Sequence, residues 1–197
     1  MILALAVALG LIAALVRHRG RIFDRIAAIS LRSAWLAILA LILQWPLLQA
    51  QAGPVQSIQV QQALFLLSHV LLLIFVWRNR RVTGIQVIGL GVICNLVVIV
   101  ANGGLMPITP ETLTQINPGT APEQWQTGLH YGYSKDIILL REEIRFWALS
   151  DVLVISHLFP RPTAFSVGDL VIALGIILLL QGPITRPGSA TVRSDLL

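Results

Sequence analysis

The sequence predicts an all-α integral membrane protein, a single domain of residues 1–197 with five transmembrane helices, the N-terminus outside and the C-terminus cytoplasmic. Apolar residues make up 56% of the chain and charged residues 12%, and the mean hydropathy is +0.81, unlike an ordinary soluble domain. Each apolar block is near the length that crosses a hydrocarbon core of roughly 30 Å. The blocks are residues 2–16, 34–50, 60–77, 84–101 and 167–181.

The basic residues predict the orientation of these blocks. Ten of the 14 Lys and Arg residues lie in alternate gaps, which the positive-inside rule places in the cytoplasm. They are Arg17, Arg19, Arg21, Arg25 and Arg32 after the first block, Arg78, Arg80 and Arg81 after the third, and Arg186 and Arg193 in the tail. The gap 51–59 carries no charge, and residues 102–166, called the long segment here, carry only four basic residues. Both are therefore expected outside.

Several other classes of protein are disfavoured. The first block is expected to remain as a span and not to be a cleaved signal peptide, because its basic residues follow the apolar run. The pI of about 10.7 does not indicate nucleic-acid binding, because the arginines flank spans and lack interleaved aromatic residues. Anionic lipid headgroups are the expected counter-charge. The one cysteine, Cys94, lies inside the fourth block, so no intrachain disulfide and no zinc motif is expected.

Residues 21–32 predict a short helix on the cytoplasmic surface. Ile22, Ile26 and Ile29 recur at helical spacing while arginines occupy the opposite side. The alternative is a plain basic loop, and neither interpretation implies catalysis.

The long segment predicts two short surface helices in its first half. Thr109 followed by Pro110 is typical of a helix start, and Thr120 followed by Glu123 has the spacing of a capping box.

Farther along, apolar residues recur at helical spacing between Ile137 and Leu158, and Asp151 falls on the same stripe. A sixth span over residues 144–159 would bury charges and send the basic tail outside, against the charge rule. The sequence therefore predicts an interfacial or re-entrant helix there. A carboxylate on an apolar face needs a partner, and Asp151 is expected to find one on another element.

Three strings carry a resemblance to a known family. They are Ala-Asn-Gly-Gly-Leu-Met-Pro at residues 101–107, the stretch from Ser-Lys-Asp to Leu-Ser-Asp at residues 134–151, and Phe-Ser-Val-Gly-Asp at residues 165–169. Together they resemble a family of bacterial multi-span membrane proteins labelled as a domain of unknown function, over essentially the whole chain. The family tends to show His after Ser-Lys, where this chain has Asp136. The resemblance implies an architecture and supplies no activity.

Two of these strings also have purely structural interpretations. Asn102, Gly103 and Gly104 can terminate the fourth helix through a left-handed glycine. Ser166 and Asp169 have capping-box spacing at the start of the fifth. The functional alternative is an outward pocket in which Asn102, Asp151 and Asp169 converge on a ligand or cation.

Polar residues inside the blocks are the other functional candidates, because burying them in lipid is costly. They are Gln44, Ser68, His69 and Asn95. A neutral His69 hydrogen-bonded across helices needs no ligand, whereas ligation of a pigment or haem by this single histidine is the alternative. Glycines recur every seven residues at Gly168, Gly175 and Gly182 and predict a face for close packing, inside this chain or against another protein.

No hydrolase, metalloprotease or phosphate-binding motif occurs, and the sequence requires no metal or cofactor. Two hypotheses follow for a multi-pass protein of the bacterial cytoplasmic membrane. The first is a non-catalytic accessory or assembly subunit of a larger bioenergetic or envelope complex, with the lipid bilayer and other membrane subunits as partners. The second is a small membrane enzyme or ligand-binding protein with an outward polar site. The candidate residues of that site are Asn102, His130, Lys135, Glu143, Asp151 and Asp169.

Overall fold

The computed structural model describes residues 2–18, 29–45, 58–132, 134–156 and 162–181, and these are mostly helical. Six α-helices are α1 (Ile2–His18), α2 (Trp35–Gln44), α3 (Ile58–Arg78), α4 (Ile85–Ala101), α5 (Pro110–Ile116) and α6 (Val167–Gln181). Four short strands lie in the long segment, β1 (Met106–Ile108), β2 (Asp136–Ile138), β3 (Leu153–Ile155) and β4 (Thr163–Phe165). Two 3-10 turns cover Pro122–Gln124 and Trp147–Leu149.

Helix α3 is long and apolar enough to cross a membrane. Its 21 residues extend about 31 Å at 1.5 Å per residue. The other predicted blocks also form apolar helices, but these are shorter, with α1 and α4 at 17 residues and α6 at 15. Helix α2 has 10 residues and ends next to residues that the structure leaves undescribed. Among the described residues, one helix of the five therefore reaches the usual length of a span.

Glycines hold α4 and α6 together in an antiparallel pair. A Cβ on Gly168 would overlap Asn95 and the carbonyl of Gly91, and one on Gly175 would overlap Ile88. The predicted glycine face of the last helix is thus used inside the chain, at Gly168 and Gly175, because only glycine allows this approach of two backbones. Gly182 lies outside the described residues.

Polar contacts also link other apolar helices, α1 to α6 and α2 to α3. Gln181 on α6 donates from Nε2 to the carbonyl of Gly10 on α1 at 3.0 Å. Gln44 on α2 donates from Nε2 to Ser68 Oγ on α3 at 2.9 Å. Both bonds lie between helices, where polar side chains commonly link apolar helices.

The long segment folds back onto the ends of α3 and α4. Leu105 and Met106 are fully buried and pack against Phe65 and Val98. Strand β1 pairs in parallel with β2, with Met106 opposite Asp136, and β3 pairs antiparallel with β4, with Leu153 opposite Phe165. The sheets bring separate parts of the long segment to one end of the helices.

The predicted interfacial or re-entrant helix over 144–159 is wrong for its described part. That stretch forms the 3-10 turn Trp147–Leu149 and strand β3, and its last residues, 157–159, lie outside the described residues. The Ser150 hydroxyl donates to the Trp147 carbonyl at 2.7 Å and competes with helical bonding. The helical spacing of the apolar residues gave a wrong prediction because these residues belong to different elements, with Ile137 on β2 and Val154 on β3.

Two of the predicted helix ends are confirmed, and a third is wrong. Thr109 caps α5, accepting from the Thr112 N–H at 3.2 Å, with Pro110 in the first turn. The second predicted start is wrong by one residue and in type, since Gln124 Oε1 accepts from the Ala121 N–H and the turn is 3-10. Helix α4 ends at Ala101 as predicted, and Gly103 and Gly104 follow with φ of +86° and +98°.

The predicted surface helix over 21–32 falls mostly on residues 19–28, outside the described residues.

Candidate functional site

An ion pair lies where β2 meets the 3-10 turn before β3. The Lys135 ammonium donates to Asp151 Oδ2 at 3.0 Å, and its Nζ lies 3.7 Å from Asp136 Oδ1. Asp151 and Asp136 are 3% and 7% exposed. We call Lys135, Asp136 and Asp151 the Lys135 cluster. It provides the partner from another element that the sequence predicts for Asp151.

The backbone around this cluster is fixed by the sheet. The Met106 N–H donates to the carbonyl of Lys135 at 3.1 Å, and the Asp151 N–H donates to the carbonyl of Pro107 at 3.4 Å. Strand β1 therefore lies between the two charged positions and sets their separation. The Ser134 hydroxyl also accepts from the Asp136 N–H at 3.1 Å, which orients the start of β2.

Two carboxylate oxygens of the Lys135 cluster lack a hydrogen-bond donor among the described residues. Asp136 Oδ1 and Asp151 Oδ1 are buried, and neither accepts a hydrogen bond from the residues that the structure describes. A buried acceptor without a donor costs about 1–3 kcal/mol, and more for a charged group. The cluster therefore has spare acceptors and too few donors.

The electrostatics of the cluster follow from burial and from this imbalance. Burial raises the pKa of the Asp151 carboxyl to about 7, against the attraction of Lys135, and the charges of Asp136 and Asp169 act in the same direction as burial. Burial alone would lower the pKa of Lys135, but the carboxylates of Asp151, Asp136 and Asp169 outweigh it and hold that pKa above its ordinary value. Three carboxylates thus act on one ammonium.

A second network joins α4 to the start of α6. Asn95 donates from Nδ2 to Asp169 Oδ1 at 2.9 Å, and the Ser166 hydroxyl donates to Asn95 Oδ1 at 2.8 Å. Ser166 Oγ accepts from the Asp169 N–H at 2.9 Å, and Asp169 Oδ2 accepts from the Ser166 N–H at 3.4 Å. The predicted capping box is confirmed, and Asn95 ties it to the neighbouring helix.

Three of the candidate site residues lie elsewhere and have structural contacts. Asn102 accepts from the Arg145 N–H and donates to the carbonyl of Arg145, both at 2.9 Å. His130 Nδ1 lies 3.2 Å from the Gly132 carbonyl. Glu143 is exposed and accepts from the Leu140 N–H at 3.0 Å. Asn102 thus fixes the end of α4 to the long segment and does not join Asp151 and Asp169 through any of these bonds.

His69 is bonded within its own helix, and among the described residues no hydrogen bond joins its ring to another helix, contrary to the prediction. Its Nδ1 lies 2.9 Å from the carbonyl of Phe65, so Nδ1 carries the proton, because a carbonyl only accepts. The neutral ring then has an unprotonated Nε2, which is the atom that ligation of a pigment or haem would need. Among the described residues, no three His, Cys, Asp or Glu side chains converge on a metal position.

Sequence reasoning missed two members of this region. Asp136 stands where the family string tends to show His, and its place beside Lys135 and before the apolar pair Ile137 and Ile138 indicates a charge at a buried strand. The sequence indicates a helix cap at Ser166, but no local pattern reveals that its hydroxyl reaches Asn95, 71 positions away.

Comparison with known proteins gives a family match. The model of DUF5317, described as a family of unknown function, matches residues 28–181. This range includes the last four predicted spans and the whole long segment. Neither the curated proteins nor the solved structures contain a match to the chain.

Proposed function

We propose that this chain, which belongs to the DUF5317 family, is a five-span protein of the bacterial cytoplasmic membrane with an outward binding site whose ligand is a proton. One observation carries the site: two buried carboxylates share the Lys135 ammonium, and each keeps an oxygen that accepts no hydrogen bond from the described residues. A proton removes the excess buried charge and needs no open cavity.

The exposed surface of the apolar helices supports insertion in a membrane. Val16 on α1, Leu41 on α2 and Val100 on α4 are 76%, 65% and 60% exposed. Soluble monomers rarely expose large contiguous apolar patches, and a bilayer would cover these side chains. Helices of 15 to 17 residues extend about 22–26 Å, so local thinning or flanking residues would complete their crossing.

The distribution of charge supports the orientation. Helices α3 and α4 are joined by a short turn with Arg78, Arg80 and Arg81, whereas the Lys135 cluster lies at the opposite end of the pair. The positive-inside rule places the arginine turn in the cytoplasm. The cluster then faces the outer aqueous phase, from which a proton can reach it.

The proton site can be tested by infrared difference spectroscopy of the purified full chain in lipid nanodiscs, titrated between about pH 5 and about pH 9. We expect the band of a protonated carboxyl that disappears near neutral pH. Asp151→Asn should remove this band. Glu143→Gln, which alters an exposed carboxyl, should leave it unchanged.

Two results would contradict the proton site. One is the absence of a protonated carboxyl at about pH 5 in the folded wild-type chain. The other is persistence of the same band in a folded Asp151→Asn variant. The variant Asp136→Asn gives a second check, because it leaves Asp151 with Lys135 and should lower the midpoint of the titration.

An accessory or assembly subunit is the second candidate function, and the surface of α2 favours it. Ile38, Leu41, Ile42 and Trp45 line a groove of about 430 Å³, and each is at least 59% exposed. A helix of another membrane protein would pack on such a face. Against this role, the glycine face of α6 and the inner surface of the long segment are already used within the chain.

Purification from the native membrane in mild detergent tests the accessory role. Stoichiometric co-purifying subunits, identified by mass spectrometry, would support it. Their loss in Leu41→Gln but not in Leu90→Gln, an exposed position on α4, would assign the contact to α2. An absorption spectrum of the same fraction tests pigment ligation by His69. A colourless, solitary protein would contradict both ideas and leave the proton site unaffected.

A further inference from the structure

A cavity of about 350 Å³ lies at the end of the helix pair opposite the Lys135 cluster. It is formed by the segment before α2 and by the turn that joins α3 to α4. The residues that matter for its chemistry are Ser30, Arg32, Trp77, Arg78, Arg80 and Arg81. We call it the arginine cavity.

The charge of the arginine cavity is unbalanced. Four arginines are among its lining residues, and none of the lining residues that the structure describes carries a carboxylate. Within the described part of the chain, none of these arginines forms an ion pair with Asp or Glu. A cluster of unpaired guanidinium groups attracts an anion, and the planar donor fork of arginine matches the oxygens of phosphate.

The cavity is held in shape by Asn79, which is 3% exposed. Its Oδ1 accepts from the Arg32 N–H at 2.7 Å, and its Nδ2 donates to the carbonyls of Arg32 and Phe75, both at 2.8 Å. The two bonds to Arg32 fasten the segment before α2 to the end of α3, and the bond to Phe75 orients the Asn79 side chain. This link holds Arg32 and Arg80 beside the same cavity, although they are 48 positions apart in sequence.

One guanidinium is already oriented. The Arg80 side chain stacks over the Trp77 ring at 4.2 Å and donates from Nη1 to the Trp77 carbonyl at 3.2 Å. The Arg80 carbonyl accepts from Gln86 Nε2 at 2.9 Å. Stacking on an aromatic face leaves the other N–H groups at the edge of the guanidinium available to an anion, and it reduces the entropy lost on binding.

Trp77 also places the cavity relative to a bilayer. It is 67% exposed and lies one residue before the end of α3, the helix that is long and apolar enough to span. Tryptophan is enriched where acyl chains meet headgroups. If α3 spans, the four arginines lie at the level of lipid phosphates, in the leaflet where anionic lipids attract basic residues.

We propose that the arginine cavity binds the phosphate group of an anionic phospholipid at the cytoplasmic surface. The proposal rests on the membrane insertion proposed above, but not on the proton site. A soluble phosphate compound shares this chemistry, and the test below separates the two sources. The bound headgroup would join α2 to the turn between α3 and α4 by bridging Arg32 and Arg80.

Native mass spectrometry of the full chain, released from detergent micelles, can measure the binding. The probes are phosphatidylglycerol, phosphatidylcholine and inorganic phosphate, added in turn. We expect retention of phosphatidylglycerol, weaker retention of phosphatidylcholine and no competition by inorganic phosphate. Arg32→Gln together with Arg80→Gln should reduce the affinity for phosphatidylglycerol at least about tenfold, because charge-assisted hydrogen bonds are lost.

The chain offers a matched control. Arg141 also stacks over a tryptophan, with its guanidinium 3.9 Å from the centre of the Trp147 ring, but it belongs to the long segment. Arg141→Gln removes the same charge and the same kind of stacking and should leave lipid binding unchanged. Arg80→Lys keeps the charge without the fork and should weaken binding less than Arg80→Gln does.

Three outcomes would overturn the proposal. Equal retention of phosphatidylglycerol by the wild type and the double variant would remove the cavity as the site. Equal losses of affinity for phosphatidylglycerol in the Arg141→Gln and Arg80→Gln variants would show that overall charge, and not the cavity, causes the effect. Displacement of the lipid by inorganic phosphate would make the ligand a soluble phosphate. Release of the chain from membranes by alkaline carbonate is a separate result, since it would contradict membrane insertion itself.

Discussion

Lys135 Nζ lies 3.0 Å from Asp151 Oδ2, and this ion pair joins β2 to the turn before β3 across 16 positions of sequence. Asp136 and Asp169 add negative charge around the same ammonium. The pair is therefore both a structural link and the electrostatic centre of the long segment.

The stability of the folded chain should fall as the pH rises from about 4 to about 7. Folding raises the pKa of Asp151 from 3.8 to about 7, so its contribution to stability is complete below the unfolded value and is lost as the pH rises through the folded value. We expect a slope on the order of 1 kcal/mol per pH unit in this window. Thermal unfolding in detergent at several pH values measures it. Asp151→Asn should flatten the slope, and an unchanged slope would rule out Asp151 as its source.

At about pH 9, where Asp151 is ionised, Lys135→Met should destabilise the chain by about 3–5 kcal/mol, because it leaves buried carboxylates without their ammonium. The measurement is chemical or thermal unfolding in detergent. Arg145→Met, which removes an exposed cation, is the control and should change stability by less than about 0.5 kcal/mol. The double variant Lys135→Met with Asp151→Asn should recover part of the loss. Additive losses would mean that the two side chains are not coupled.

Gly168→Ala should destabilise the packing of α4 on α6 by about 1–3 kcal/mol. A Cβ there would overlap the Asn95 side chain and the backbone carbonyl of Gly91, which cannot move away easily. Gly10→Ala is the matched control, because its Cβ meets the end of the Leu180 side chain, and that end can rotate. Equal unfolding temperatures for Gly168→Ala and the wild type would contradict the close approach.

Asn95→Ala should cost about 1–3 kcal/mol, because it removes the partner of both the Ser166 hydroxyl and one Asp169 oxygen. Gln86→Ala, which removes an exposed amide bonded to the Arg80 carbonyl, should cost less than about 0.5 kcal/mol. Unfolding in detergent compares the two. Similar losses would show that the link between α4 and α6 is not held by Asn95.

The apolar helices were predictable because each one depends on residues that are close together in the sequence. Composition alone indicates apolar runs such as those of α3 and α6. Helix ends are marked by the side chains of Thr109 and Ser166 and by the backbone freedom of Gly103 and Gly104. The boundaries of α6 match the predicted block, residues 167–181.

The long segment was less predictable because its structure depends on distant pairing. A strand of three residues is too short to show an alternation of apolar and polar residues, and β1 pairs with β2 across about thirty residues. Of the candidate site, Asp151 and its need for a partner followed from one carboxylate among apolar residues. That Lys135 is the partner depends on the register of β1 and β2, which no local pattern encodes.

The opposite placement of the Lys135 cluster and the arginine cavity across a membrane is the central claim, and cysteine labelling tests it most directly. Cys94 is the one cysteine in the chain, so Cys94→Ser provides a clean background for Glu123→Cys in the long segment and Arg81→Cys at the arginine cavity. With a membrane-impermeant maleimide on intact cells, we expect labelling of the Glu123→Cys protein alone, and labelling of the Arg81→Cys protein after permeabilisation. Labelling of both proteins in intact cells, or of Arg81→Cys alone, would contradict the account.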